Sequence, residues 1–444
     1  MSSSTDGLLF PSDTGRSVAV RFDADDITSD AGVLLVGQAD RSIGLTAAMS
    51  GAVSDRRQQS KVRHRMSDMV RERVFAIASG YEDANDLDRM RDDAALKTAC
   101  GYRPSREDGL AAQPTISRME NSLSRKDLLR MALAMAETVV AQLPANTRSV
   151  VLDVDATDDP CHGQQQLEFF NGFYNEHCYV PLHLYVTGAD GKQRLLCSML
   201  RPGNATYRVG LQGLLRRAVR VLRARFPRVR IILRADAGFG NAEVLRWCEE
   251  LEMEYILGLS TNRRLAVLST HAQMRCAIRH GLEGDGCREH DDFMYKAGTW
   301  PHARRVVVKV EVTQGKLNPR YVVTNLGRSA ARVYAFYCKR GDCENRIKEL
   351  KLDMLSGRTS CHRFLANQTR LLLHSAAFVL LQTIQMAAKG TAWATAQAGT
   401  IRVRLLKVGA RVVETCRRIW FHLPRSFPEQ ETWHRIYDRL VAGA

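Results

Sequence analysis

From Ser149 to Leu259 the chain alternates short apolar runs with amphipathic stretches, in an order that leaves few folds open. Ser149–Ala156 reads as a strand, as do Tyr179–Thr187 and Arg194–Leu200, with Gly188-Ala189-Asp190-Gly191 as the tight turn between the last two. Strands so close in sequence pair antiparallel. An amphipathic helix follows over about 208–226, placing Leu211, Leu214, Leu215, Leu222 and Phe226 inward and Arg216, Arg217, Arg220 and Arg223 outward. Next come a buried strand, Val229–Ala235, a helix from about Ala242 to Leu251, and a short strand, Tyr255–Leu259. Three strands, helix, strand, helix, strand is the pattern of a layered α/β core.

The succession is similar to the ribonuclease-H-like order, in which central strands carry carboxylates at their ends. The last helix of such a core is delayed. Between Thr261 and Gly327 lie the strand candidates Arg304–Thr313 and Arg320–Asn325, amid loop-like sequence rich in Arg, His and Gly, which reads as a β-rich insertion. A helical stretch then runs from about Ala330 to Met354, and another from about Phe364 to Ala388. Upstream, apolar residues at three- and four-residue steps make 56–143 helical, and Ala112–Met119 has the rhythm of the second helix of a helix-turn-helix, or else is an ordinary helix start capped by Thr115 or Ser117. Nearer the N-terminus, Ser17–Phe22 and Gly32–Val36 could pair as a hairpin, and Val403–Val408 in the basic tail reads as a strand. The expected layout is 1–145, a mostly helical DNA-binding region; 146–260, the first part of the core; 261–327, the insertion; 328–390, the remaining core helices; and 391–444, a basic C-terminal region.

Charge narrows the partner. Lys and Arg number 64 against 48 Asp and Glu, a formal +16, which favours a polyanion over a neutral metabolite. Two stripes stand out. Residues 56–73 hold seven Lys/Arg beside Asp68 and Glu72, and 213–230 hold seven Arg and no acid; each is a phosphate-contacting face or a solvated helix face. Eleven cysteines without a secreted-scaffold spacing, and no signal-peptide pattern, point to reduced thiols in a cytoplasm; a bacterial, nucleoid-associated setting is what the family resemblance given below implies. Cys338 and Cys343 lack a partner pair for zinc. The run Leu371–Leu381 is too short for a membrane span and reads as core, so no membrane association is expected.

Three acids carry the chemistry. Asp155 ends the first strand, in Leu152-Asp153-Val154-Asp155-Ala156-Thr157, and Asp236 ends the fourth, before Ala237-Gly238-Phe239-Gly240, where glycines let backbone or ligand come close. In this order those two strands are neighbours, so their carboxylates can share an ion. Mg²⁺ prefers hard oxygen ligands and leaves positions for phosphate and water. A pair of such ions activates the attacking oxygen and stabilises the leaving one at phosphorus. Glu344 is the third candidate. At helical spacing it shares a face with Tyr337, Arg340, Lys348 and Lys351, an acid among cations, although an ion-paired surface helix has the same spacing.

Tyr337, Arg340, Glu344 and Lys351 reproduce the signature Tyr, two residues, Arg, three residues, Glu, six residues, Lys. It resembles that of insertion-sequence transposases with a β-strand insertion before the catalytic glutamate. The words Asp153–Gln165, Arg234–Gly240, Glu344–Asp353 and Arg358–Gln368 resemble the DDE transposases of insertion-sequence family 1380, related to insertion-sequence family 4, over roughly residues 60–425. The resemblance implies a ribonuclease-H-like core and two divalent cations, Mg²⁺ or Mn²⁺, on Asp155, Asp236 and Glu344. It also implies double-stranded DNA as partner, meaning terminal inverted repeats and target, and a homodimer on that DNA. Arg340 and Lys351 would hold end phosphates, with Tyr337 supporting them. The family pattern favours Asp155 over Asp153, which shares its strand face.

Further candidates have two readings each. His162 is a base or a turn residue; Trp300 stacks on a flipped base or fills the core. Arg358, Ser360, His362, Arg363, Asn367 and Arg370 offer donors suited to phosphates and base edges. The reaction class has rivals in a transposase descendant that binds DNA without cutting, and in a ribonuclease-H-like nuclease that cuts without joining.

Overall fold

Alternating apolar positions flanked by turn residues build one mixed sheet. The computed structural model describes residues 8–10, 16, 18–24, 26–105, 108–284 and 286–443. The strands of the sheet are β1 (Ser149–Ala156), β2 (Leu182–Thr187), β3 (Gln193–Met199), β4 (Arg230–Ala235), β5 (Glu254–Leu259), β6 (Arg288–Tyr295), β7 (Arg304–Thr313) and β8 (Lys316–Thr324). They lie in the order β6-β7-β8-β5-β4-β1-β2-β3. As expected, β1, β2 and β3 are successively antiparallel, and β4 lies parallel to β1 and β5.

Helices of at least seven residues are α1 (Val33–Ile43), α2 (Leu45–Gly51), α3 (Met66–Ala78), α4 (Gln113–Ser122), α5 (Arg125–Ala141), α6 (Leu211–Arg225), α7 (Ala242–Glu250), α8 (Thr270–Glu283), α9 (Ala330–Cys338), α10 (Gly341–Leu352), α11 (Phe364–Ala387) and α12 (Gln430–Ala442). One sheet face, with Val150, Leu152, Val154, Ile231 and Leu233, joins a core that continues into the N-terminal helices and α11. The other, with Ile232, Ile256, Val307 and Val322, is covered by Val333 and Tyr334 of α9. Burial on both faces explains why these strands are so apolar.

The edges of the sheet are managed differently. On β3 the outward N–H of Leu195 donates to Gln382 of α11 at 3.1 Å, and just past the strand's end the N–H of Leu200 donates to Gln368 of the same helix at 2.7 Å. On β6, Arg288-Glu289-His290-Asp291-Asp292 places charge along the free side. α11 is long and apolar enough to cross a membrane, which the run Leu371–Leu381 alone is not, but 78% of its apolar window is buried inside the protein.

Several expectations need correction. Val33–Ile43 is a helix, so Gly32–Val36 pairs with nothing: its apolar run continues at helical spacing through Ala39 into the core. Val18–Val20 pairs instead with Leu8–Phe10, and Ser17 lies outside the described residues. Arg402–Leu406 is a π-helical turn that buries Leu405 and Leu406, and the strand of the tail begins later, at Ala410–Glu414. α4 starts at Gln113 with Ala112, not Thr115 or Ser117, at its cap position, because Pro114 suits the first helical turn. The stretch Ala330–Met354 is two helices, broken at Lys339-Arg340. Residues 261–327 contribute α8 and the short helix Arg263–Leu268 as well as strands, and those strands extend the main sheet.

Candidate active site

β4 and β1 run parallel with Ala235 opposite Val154, so the next residues, Asp236 and Asp155, leave neighbouring strands side by side. Adjacent strands are only about 5 Å apart. Asp155 accepts from the Ala156 N–H at 2.9 Å, and Asp236 caps the turn Ala237–Phe239 by accepting from the Gly238 N–H at 2.9 Å. That turn rests on β5 because Gly240 and Gly258 lack side chains: a Cβ at Gly240 would stand 2.0 Å from the Gly258 carbonyl oxygen. A Cβ at Gly258 would meet both the Ala237 nitrogen and the Tyr337 hydroxyl at 2.7 Å. Tyr337 therefore lies against the Asp236 turn.

Glu344 approaches from the first turn of α10, exposed at 54%. Arg340, at the helix break, donates Nη1–H to Asp155 Oδ2 at 2.8 Å and Nη2–H to Glu344 Oε1. Burial first, then the Asp236 carboxylate, push Asp155 up to about 6, with Glu344 adding and Arg340 opposing. Three acids are thus close enough for their charges to be felt at one. The oxygen-only donor set fits a hard divalent cation. Among the described residues no three such ligands are already drawn around a common point, and it is the Arg340 guanidinium that lies between Asp155 and Glu344.

Asp153 has another fate. It is fully buried, and Arg234 grips it through Nε at 2.5 Å and Nη2 at 2.8 Å, while Gln193 Nε2 donates at 2.8 Å. Arg234 also donates to the Phe336 carbonyl at 2.7 Å, fastening α9 to the sheet. Two strand-embedded residues of opposite charge were the signal for this pair, legible only once β1 and β4 are known to be neighbours.

Lys351 binds Asp158 Oδ2 at 2.7 Å, and Lys348 is exposed one turn before it. Arg358 is half-exposed and reaches Glu82 and Asp83 at 3.5 and 3.9 Å. Of the donors that follow, Arg370 is spent on buried Glu120 and on Ser360, Asn367 is buried, and His362 and Arg363 lie near the surface against backbone carbonyls. His162 is exposed. Trp300 is 4% exposed, with its ring edge-to-face with Tyr295 at 5.4 Å and under Arg304 at 5.3 Å. Its position is the core one: packing on both neighbours leaves no open face for a base.

The basic stripes also part company. In 56–73, Arg73 is buried and Arg71 turns inward, whereas Arg57, Lys61, Arg63 and His64 join Arg91 and Arg118 around a cavity of about 420 Å³. No carboxylate lines it among the described residues. The α6 arginines form a solvated face, with Arg216 and Arg223 3.8 and 3.9 Å from Glu250 and Glu252. All eleven cysteines are free thiols.

Two strand-end acids thus lie side by side, with Glu344 joined to Asp155 through Arg340 and lysines along the same helix. Residues 10–443 match the family described as Transposase DDE domain group 1, and the chain belongs to that family. It is a transposase by family, which brings with it a DNA substrate and a general use of divalent metal ions. Among curated proteins, none matches the chain.

Proposed function

We propose that this transposase has a ribonuclease-H-like core and that Asp155, Asp236 and Glu344 are its metal-holding acids, cutting DNA at transposon ends and joining the freed 3′-hydroxyl to target DNA. The observation that carries the reading is the emergence of Asp155 and Asp236 from adjacent parallel strands, with Glu344 tied to Asp155 through one arginine. Bound there, two divalent cations, Mg²⁺ or Mn²⁺, would supply the Lewis acidity for in-line displacement at phosphorus.

The chain's own residues do the rest. Asp155 and Asp236 are held rigid by the sheet and by backbone N–H donors, so their oxygens need little reorganisation. Arg340 presents a planar fork that can exchange a carboxylate for a phosphate oxygen without moving its helix. Tyr337 props that fork from below, and Lys348 and Lys351 lie along the same helix to steady flanking phosphates. Arg358 continues the cationic track towards the N-terminal helices. There the cation-lined cavity and Arg118 of α4 face the duplex, making 1–145 the end-binding region. Residues 146–260 and 328–390 form the core, 261–327 the insertion and 391–444 the basic tail. Two protomers act together, each on one end, in the bacterial cytoplasm at the nucleoid.

Cleavage and joining of a labelled transposon-end duplex test this. Asp236→Ala and Glu344→Gln should each lower the rate roughly a thousandfold, because several kcal/mol of transition-state charge stabilisation is lost, while duplex binding persists. Unchanged cleavage in both variants would sink the assignment. Binding without cutting in the wild type would favour a silent descendant, and nicked but never joined products a nuclease.

A further inference from the structure

α8 is covered by the protein on one side only. Ala272 and Cys276 are buried, and the Cys276 thiol lies 3.6 Å from the Val310 carbonyl oxygen of β7. A helix turns about 100° per residue, so Met274, Ala277, Ile278 and Gly281 stand on the opposite side, away from the sheet. Val267, Met274, Ile278 and Leu282 are 58% to 81% exposed, and Leu317 of β8 shares a cavity of about 370 Å³ with Val267 and Met274. Scattered apolar residues on a surface are ordinary, whereas a contiguous patch marks a place where something docks.

The charged side chains of α8 turn aside from this patch. Arg275 and Arg279 reach Glu289 at 3.4 and 2.7 Å, Arg275 also reaches Asp291 at 2.9 Å, and Glu283 pairs with Arg279. Arg263 alone brings a charge to the rim of the cavity. Gly281 is an independent sign. Glycine within a helix costs up to about 1 kcal/mol relative to alanine, and nothing inside the molecule requires it here, because a Cβ would meet no atom within 4 Å. With Ala277 one turn before it, Gly281 leaves a groove beside the ridge of Met274 and Ile278, and helices that meet pack ridges into grooves.

The size of the patch indicates its occupant. At those exposures Val267, Met274, Ile278, Leu282 and Leu317 open roughly 500 Å², which is the apolar share, about 65%, of the ~800 Å² that each partner brings to a homodimer of standard size. A ridge and a groove on one face are also self-complementary. In an antiparallel pair centred between Ala277 and Ile278, Met274 of each copy lies over Gly281 of the other.

We propose that α8 is a self-association surface through which the free protein pairs with a second copy of this chain, helix against antiparallel helix. The pairing needs neither metal nor DNA, so it goes beyond the cutting and joining proposed above. α8 packs on the sheet face that carries Val306, Val308 and Val310, whereas α9 covers Val307 and Val322 on the other. Each copy therefore keeps the helix that leads into Arg340 clear of the contact.

Sedimentation velocity of the nuclease-treated full chain, at micromolar concentrations in EDTA and high salt, tests the pairing. Wild type should sediment as a dimer. Ile278→Glu should weaken pairing about a hundredfold, because the contact loses the residue twice, with circular dichroism unchanged since the side chain is exposed. Gly281→Leu separates docking from general adhesion: it adds apolar surface and suits a helix, yet should weaken pairing about tenfold by filling the groove. A monomeric wild type would overturn the proposal, as would a dimer that both variants leave intact or that Gly281→Leu tightens. A monomeric wild type whose duplex affinity falls in Ile278→Glu would assign the face to DNA instead. Cleavage by Asp236 and Glu344 is read in a separate assay, so either conclusion can fail without the other.

Discussion

Asp153 and Asp155 stand two positions apart on the same face of β1, and their surroundings make them different reagents. Asp153 is wholly committed to Arg234 and Gln193, whereas Asp155 keeps an edge towards Asp236 and Glu344. Alternation along a strand gives both the same direction, and only the neighbouring strand distinguishes them. Asp159 extends the contrast. It is buried, it accepts from the Thr359 hydroxyl at 2.9 Å, and burial, opposed by Thr359 and Lys351, pushes it up to about 7. An acid with a raised value holds its proton more tightly folded than unfolded. The contribution of this one group to stability is therefore fully present below the ordinary carboxyl value, is lost as pH rises from there to about 7, and changes no further beyond it. Asp159→Asn should raise the unfolding free energy by roughly 2–4 kcal/mol at pH values above that limit, with the gain vanishing in acid, as thermal melts across pH would record.

Between elements, contact depends on what is missing as much as on what is present. The Asp236 turn, β5 and the Tyr337 ring meet at Gly258, where no side chain has room. Gly258→Ala should destabilise the protein by about 1–3 kcal/mol in denaturant titrations and lower cleavage by moving Asp236. The glycine-rich word after Asp236 was readable in the sequence because turn chemistry is local, and so was the strand order around it. Less readable were features decided by distant partners. Val33–Val36 has no local signal separating strand from helix, and α1 forms because Leu35, Val36 and Ala39 find a buried surface. The break at Lys339-Arg340 is likewise invisible to helical spacing, which runs unbroken from Tyr337 to Lys351. It nonetheless brings Arg340 to both Asp155 and Glu344.

Across the whole molecule, a buried charge cluster joins distant parts of the chain. Glu120 of α4, with no exposed side-chain surface, meets Arg73 of α3 at 3.2 Å and Arg370 of α11 at 2.8 Å. Glu120→Ala would strand two guanidinium groups in a low-dielectric interior and should cost about 3–5 kcal/mol, seen as a lower urea midpoint. Arg358 lies near the same junction, so loosening it would also disturb the cationic track between the helices and the acids.

The two margins of the sheet carry a last consequence. Open backbone at a strand margin is a template on which another polypeptide can polymerise, and a crowded, newly synthesised pool is where that hazard is greatest. Glutamine amides occupy one margin, and ion-paired charges such as Asp291 with Arg275 and Asp292 with Arg305 line the other. A second copy therefore meets bonded or charged margins in place of a bare apolar strand, and side-chain surfaces govern how copies meet.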